Sequence, residues 1–303
     1  GAAMKFAFIR QHLNHAAGWT LGVLCRVLGV TRSGFYAWRG ATKRPASPRQ
    51  FTRKARRKRV AEVFEQHKHR YGAPRIHAQL IQEGIACDVK TIASDMKAMG
   101  LFALQHKAFR VTTTDSNHGY PIAPNRLNRD FTASTPNRVW VTDLTYVPTG
   151  EGWLYLVTIM DLFSRKVVGY ASADHMRAEL CIEALDQAVR RRGRHEGLIL
   201  HSDRGVQFAA DAFRHACAGY GIVQSMSGKG DCYDNAVAES FFGTLKSEHL
   251  DGFRFRTREE AKLEVFNFID GYYNPRRLHS TLGYQSPDEF ERRHNPEPMK
   301  NAA

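Results

Sequence analysis

The chain has 303 residues, 43% apolar and 24% charged, enough for two or three domains around a buried core. No run approaches the roughly 18 apolar residues of a membrane span, and no charged-then-apolar signal pattern opens it, so a cytoplasmic protein is expected. Fourteen of the 44 Lys and Arg residues precede the first acidic residue, Glu62, and the other 30 are matched by all 30 Asp and Glu, so the net charge of +14 originates in the first fifth of the chain.

Such segregation points to a polyanionic partner, nucleic acid above all, rather than a membrane. Cys25, Cys87, Cys181, Cys217 and Cys232 form no C-x-x-C pair and are odd in number. They read as free, buried thiols of a reducing compartment. The histidines lack partners at zinc-finger spacing, so no zinc site is expected.

Residues 5–14 are expected to form a helix. Thr20 reads as an N-cap, and Leu21, Leu24, Cys25 and Leu28 follow at helical spacing. Gly29 permits a tight turn, and Thr31 caps a second helix through T-R-S-G-F-Y-A-W-R. This is a helix-turn-helix pattern over 4–40. Arg32 and Ser33 then stand near the start of the recognition helix, where bases or phosphates are met. Phe35, Tyr36 and Trp38 are assigned to its core rather than to base stacking.

A basic linker is expected over 41–59. It begins among Pro and Ser and ends in R-K-A-R-R-K-R, whose Arg53, Lys54, Arg56, Arg57, Lys58 and Arg59 suit a phosphate backbone. A second helical, helix-turn-helix-like domain is expected over 60–102. Val60, Val63 and Phe64 stripe its first helix. Pro74 opens the next, with Ile76, Leu80 and Ile81 inward. Lys90 to Met99 makes a third, closed by Gly100. Thr91, Ser94 and Lys97 face DNA or solvent. Residues 103–136 lack periodicity and read as an extended connector.

From Asn137 the pattern changes to β-formers. R-V-W-V-T-D-L-T-Y-V, W-L-Y-L-V-T-I-M-D (153–161) and R-K-V-V-G-Y-A (165–171) predict three strands with short antiparallel links. A helix follows over 177–192, with Leu180, Ala184, Leu185 and Ala188 on one side. A strand (197–202), a helix (207–218), a strand (221–225), a loop with Gly228 and Gly230, and a helix bearing Glu239 complete the region. The order predicts an α/β core over 137–250 with a mixed five-stranded sheet, and it resembles ribonuclease-H-like nucleotidyl transferases. Residues 251–303 read as a C-terminal helical segment and tail.

Three carboxylates in unlike settings carry the chemistry. Asp143 lies midway along a strand, Asp203 just past the end of another, and Glu239 on a helix. Transfer at a phosphodiester needs an activated attacking oxygen and a stabilised leaving oxygen, which two divalent ions about 3.5–4 Å apart supply. Mg²⁺ prefers carboxylate oxygens, water and phosphate. An aspartate in a central strand is costly to bury unless paired or metal-bound, which singles out Asp143. Asp161 also ends an apolar strand, but D-L-F-S-R reads as a turn, and its role is structural.

The blocks T-D-L-T-Y, H-S-D-R-G-V-Q-F and N-A-V-A-E-S-F-F-G-T-L-K resemble the catalytic blocks of the OrfB-type transposases of the IS-three family of insertion sequences, relatives of retroviral integrases. The 35 residues between Asp203 and Glu239 match that superfamily's separation. W-T-L-G-V-L-C-R-V-L-G-V-T-R-S-G-F-Y-A-W, R-Y-G-A-P-R-I-H and Y-N-P-R-R-L-H-S-T-L-G-Y-Q-S-P-D-E-F resemble further family blocks, so the likeness spans most of the chain.

The resemblance implies a DDE active site with Asp143, Asp203 and Glu239 as ligands of Mg²⁺, for which Mn²⁺ can substitute. Lys246 shares the helix face of Glu239 and Gly243 and is expected to contact a DNA phosphate; Asn235, on the same face, is expected to touch DNA or cap the helix. The implied activity is cleavage at terminal inverted repeats and 3′-hydroxyl strand transfer in a copy-out, paste-in route. The implied partners are terminal-repeat and target DNA, at least one further copy of the chain, and OrfA or an OrfA–OrfB fusion, in a bacterial, nucleoid-associated setting. No sustained heptad run is present, so the chain resembles the OrfB portion. The alternatives are a DNA-binding regulator with an inactive ribonuclease-H-like domain and a plain nuclease. Strand joining separates both from a transposase.

Overall fold

The computed structural model of the protein describes residues 1–13, 19–43, 48–104, 119–228 and 235–294. Gly230 and Cys232 lie outside them. The chain forms two compact units, Gly1–Glu62 and Val63–Ala303.

The first unit holds α1 (Ala2–His12), α2 (Leu21–Leu28) and α3 (Arg32–Lys43). The caps are those expected: Thr20 Oγ1 accepts the Val23 N–H at 3.4 Å, and Thr31 Oγ1 accepts the Gly34 N–H at 3.0 Å. Gly29 takes the left-handed conformation, φ 60°, that ends α2. Phe6, Ile9, Leu24, Cys25 and Phe35 form the core, with Trp38 packed against it. Tyr36 departs from its core assignment and is 58% exposed, because it follows Phe35 by one residue and so turns about 100° away.

The helix α4 (Pro48–Gln66) carries the unit boundary. It begins about a dozen residues earlier than expected, and α3 runs to Lys43, so the basic run 53–59 is helical rather than a linker. Proline is tolerated in a first turn, and the Arg and Lys that follow are good helix formers.

The second unit continues with α5 (Ala73–Gln82) and α6 (Val89–Met99). Ile76, Leu80, Ile92 and Met96 are buried, as are Val63 and Phe64 of α4, whereas Ile81 is 46% exposed, a correction to the expected inward face. Asp88 caps α6, its Oδ1 accepting the Lys90 N–H at 2.6 Å. The described parts of the connector, 103–104 and 119–136, contain turns but neither helix nor strand. It is anchored to the sheet, with the Arg126 N–H donating to Ser225 Oγ at 2.9 Å and Leu127 buried.

The sheet contains β1 (Val139–Thr149), β2 (Gly152–Asp161), β3 (Val167–Ala173), β4 (Ile199–Ser202) and β5 (Val223–Met226) in the order β3-β2-β1-β4-β5. The first three strands are antiparallel; β4 and β5 are parallel to β1 and to each other. Trp140 and Leu144 of β1 face a core shared with α7 (Ala178–Arg192) and α9 (Asp211–Gly219). Gly169 of β3 is where α7 comes nearest: a Cβ there would stand 2.4 Å from the Ala184 carbonyl oxygen. The helix expected over 207–218 is divided at Ala210, whose ψ of 141° separates α8 (Val206–Ala209) from α9.

Strand alternation sends Val141, Asp143, Thr145 and Val147 to the opposite face. There α10 (Ala236–Leu245) and α11 (Arg258–Phe268) lie against β1. Two wider π segments, Lys246–Leu250 and Ile269–Tyr273, extend α10 and α11. Two short helices follow, α12 (Asn274–Arg276) and α13 (Pro287–His294).

Candidate active site

Asp143 sits opposite Thr158 in the β1–β2 pairing, two residues beyond Val141, where the pairing of β1 with β4 ends. It keeps some accessible surface, but protein surrounds its carboxylate. Oδ1 accepts the Leu144 N–H at 2.8 Å. Burial pushes its pKa well above the usual carboxylate range, and the charges of Asp203 and Glu239 push the same way, against the Leu144 N–H and Lys246.

Asp203 stands one residue beyond β4, which pairs in parallel with β1. Its Oδ1 accepts the Gly205 N–H at 2.9 Å, an Asx turn that fixes the chain leaving the strand. Glu239 lies in the first turn of α10 and is exposed. Burial raises its pKa, and Asp203 raises it further. Asp203, at a strand end, thus disfavours the charge of both the strand-middle Asp143 and the helical Glu239, and Glu239 disfavours that of Asp143.

Among the described residues, no three His, Cys, Asp or Glu side chains stand close enough to hold a metal ion as they lie. Asp143 and Asp203 each direct one oxygen to a main-chain N–H. The donor set still fits a hard divalent cation. It offers carboxylate oxygens only, held on three separate elements, and their mutual repulsion is relieved by positive charge.

Lys246 is the first residue of the π segment after α10. Its ammonium lies 5.3 Å from the Tyr146 ring centroid and within electrostatic reach of Asp143. Burial lowers its pKa, while Asp143 and Asp251 raise it. Asn235 departs from expectation. It makes no cap bond, and the residue is 3% exposed, which departs from both the cap and the DNA contact expected of it. The Nδ2 amide donates to the Thr142 carbonyl at 3.3 Å instead.

Asp161 is structural, as expected. It is buried and accepts the Asn137 N–H at 2.7 Å and the Phe163 N–H at 2.9 Å. The Phe163 bond closes the turn after β2, and the Asn137 bond ties that turn to the chain entering β1.

The residues expected to meet DNA are distributed along helices. Arg32 and Ser33 are exposed in the first turn of α3, and the Arg32 guanidinium lies beside Gly22 of α2, where an added Cβ would be 3.0 Å from it. Arg53, Lys54 and Lys58 of α4 are exposed; Arg56, Arg57 and Arg59 are half-buried. Glu62 pairs with Lys58 at 3.9 Å and Arg59 at 3.1 Å. On α6, Lys97 and Ser94 are exposed and Thr91 is half-buried.

Tyr146 and the buried charges Glu248 and Arg277 do not stand out in the sequence. A glutamate inside the L-K-S-E-H-L run is the one available signal, since buried charges require partners.

Residues 133–232 match a family described as "Integrase core domain", residues 220–287 match another of the same description, and residues 52–109 match an "HTH-like domain" family. The chain is 41% identical over 288 residues to the transposase InsF for insertion sequence IS3A of Escherichia coli K12, covering 95% of this chain and 98% of that protein. It is also 41% identical over 273 residues to the insertion element IS600 uncharacterized 31 kDa protein of Shigella sonnei, covering 90% and 98%. Among solved structures, a simian T-cell lymphotropic virus intasome chain is 16% identical with a TM-score of 0.46, covering 75% of this chain and 78% of that one. The HTLV-2 integrase catalytic core domain, solved in complex with magnesium, is 19% identical with a TM-score of 0.39, covering 52% and 97%.

Proposed function

The chain belongs to the transposases of the IS3 family and carries an integrase catalytic core, a DDE polynucleotidyl transferase, and we propose that it cleaves DNA at its element's terminal inverted repeats and joins the freed 3′-hydroxyl to target DNA. The observation that supports this most is that Asp203 and Glu239 both act on the charge of Asp143, and Asp203 on that of Glu239, with Lys246 in electrostatic reach of Asp143.

Asp143, Asp203 and Glu239 are the residues that would hold Mg²⁺, with Mn²⁺ able to substitute. When bound, such ions neutralise the phosphate and activate the attacking oxygen. Asp143 serves from a strand whose pairing with β2 runs through it, so its backbone stays in register through successive cleavage and joining steps. Glu239, on an exposed helical turn, has the longer reach needed to adjust to each substrate. Lys246 directs positive charge at the phosphate next to the scissile bond. Its lowered pKa reflects burial, and a DNA phosphate would offset that effect.

The basic helices bring the DNA. Arg32 and Ser33 on α3, Arg53, Lys54, Arg56, Arg57, Lys58 and Arg59 on α4, and Thr91 and Lys97 on α6 are assigned to bases and phosphates. Joining two element ends calls for at least a dimer on DNA, with OrfA or an OrfA–OrfB fusion as a further partner. The setting is the bacterial cytoplasm and nucleoid; among the described residues no helix is long and apolar enough to cross a membrane.

The test is incubation with labelled terminal-repeat DNA, target DNA and Mg²⁺, with Asp143→Asn alongside. Joined product from the wild type alone is expected. Equal joining by the variant removes the Asp143 assignment, cleavage without joining makes the protein a nuclease, and binding without either makes it a regulator.

A further inference from the structure

Two sequence blocks that the catalytic reading leaves unused, R-Y-G-A-P-R-I-H (70–77) and Y-N-P-R-R-L-H-S (273–280), meet at one residue. Glu248 lies within the π segment that follows α10, and its side chain is 6% exposed. Arg277 grips its carboxylate twice, Nε to Oε2 at 2.7 Å and Nη2 to Oε1 at 2.6 Å. Arg75 of α5 adds a bond from Nη1 to Oε1 at 3.1 Å. Arg70 holds the main chain of the same turn: its Nε donates to the Glu248 carbonyl at 2.8 Å, and its Nη2 meets His249 Nδ1 at 2.7 Å. The Tyr71 hydroxyl donates to the Arg276 carbonyl at 3.2 Å and accepts the Leu278 N–H at 2.9 Å. Guanidinium groups from two distant blocks therefore converge on two consecutive residues of one widened turn.

That turn has a visible cause. Ser247 Oγ donates back to the Gly243 carbonyl at 2.7 Å, and the Asp251 N–H reaches the Lys246 carbonyl, five residues earlier, at 2.7 Å. A π turn is an uncommon conformation that persists where its surroundings hold it, and such turns are frequent at functional sites. Lys246 is the first residue of this one. We infer that Glu248 is a positioning residue for the transposase reaction: anchored by Arg277 and Arg75, it holds the turn that sets Lys246 over Tyr146 beside Asp143. The inference rests on the roles proposed above for Asp143 and Lys246. It gives a residue of the segment matched as HTH-like a part in shaping the catalytic face.

Arg75 is the place to test it. Its side chain is 25% exposed, and the Arg277–Glu248 pair survives its removal, so Arg75→Gln is expected to fold with an unchanged melting curve. Single-turnover joining and binding of labelled terminal-repeat DNA are measured separately. With a positioning role, Arg75→Gln binds within about twofold of wild type and loses about tenfold to a hundredfold in joining rate, with the half-saturating DNA concentration unchanged. Arg75→Lys restores most of the rate, because an ammonium can replace a single guanidinium bond. Joining by Arg75→Gln at the wild-type rate, a loss confined to DNA binding, or failure of Arg75→Lys to recover overturns the inference. Asp143→Asn runs in parallel. If it joins like wild type, the underlying catalytic reading fails. If it is inactive while Arg75→Gln is fully active, only the positioning role fails.

Discussion

Asn235 donates its side-chain amide to the Thr142 carbonyl at 3.3 Å, tying the residue that opens the Glu239 helix to the strand position before Asp143. The strand of Asp143 and the helix of Glu239, the two carboxylates proposed as catalytic, are thus joined by a side-chain-to-main-chain bond that does not depend on their charge. Asn235→Asp keeps the shape but cannot donate, and it sets a carboxylate against a carbonyl. Expected are a loss of about 1–3 kcal/mol in stability and a fall in joining rate, followed by urea unfolding and the strand-transfer assay. Wild-type values in both would show that α10 needs no such tie.

Burial and its acidic neighbours raise the pKa of Asp143, so its charged form opposes folding at neutral pH. Asp143→Asn should abolish joining yet raise cation-free stability by about 0.5–2 kcal/mol, the usual opposition of activity and stability at a strained site. Mg²⁺ should raise the melting temperature of the wild type, with EDTA reversing the gain, and have little effect on the variant. A variant no more stable than wild type would place the cost of Asp143 elsewhere.

Gly169 is needed for close approach rather than for backbone freedom. An added Cβ would meet the Ala184 carbonyl oxygen at 2.4 Å and Ala188 Cβ at 2.7 Å. Gly169→Ala is expected to lower stability by about 1–3 kcal/mol through overpacking. A urea midpoint equal to wild type would mean that α7 lies farther from β3.

The basic face of α4 predicts steep salt dependence. Replacing Arg53, Lys54 and Lys58 with Gln should reduce the log–log slope of DNA affinity against salt by about 0.9 for each phosphate that the helix no longer neutralises. An unchanged slope, by fluorescence anisotropy across a salt series, would remove this helix from the DNA interface.

Glu248 sets an acid limit on stability. Burial pushes its carboxyl up, but bonding and charge from Arg277 and Arg75 outweigh that and hold it below the usual glutamate range. A folded pKa below the unfolded one stabilises the protein fully above the unfolded value, about 4.3, and that contribution is lost as pH falls through the folded value. Wild type should therefore lose stability below this range more steeply than Glu248→Gln. At neutral pH Glu248→Ala, which leaves Arg277 buried without its carboxylate, is expected to cost about 3–5 kcal/mol. Parallel pH–melting curves for wild type and Glu248→Gln would contradict this account.

What the sequence alone determined is local. Thr20, Thr31, Gly29 and Gly100 mark helix ends because caps and left-handed turns select residues at single positions. The strands, the exclusion of Asp161 and the three carboxylates were legible because strand alternation and apolar runs repeat within a few residues. What only the tertiary structure decided is which distant groups meet. Arg75 and Glu248 are 173 residues apart, and Asn235 and Thr142 are 93 apart. The exposure of Ile81 and the burial of Asn235 depended on neighbouring elements in the same way. A helical or strand period records that a face is covered, but the partner that satisfies a buried charge or amide is chosen by the packing of the whole unit.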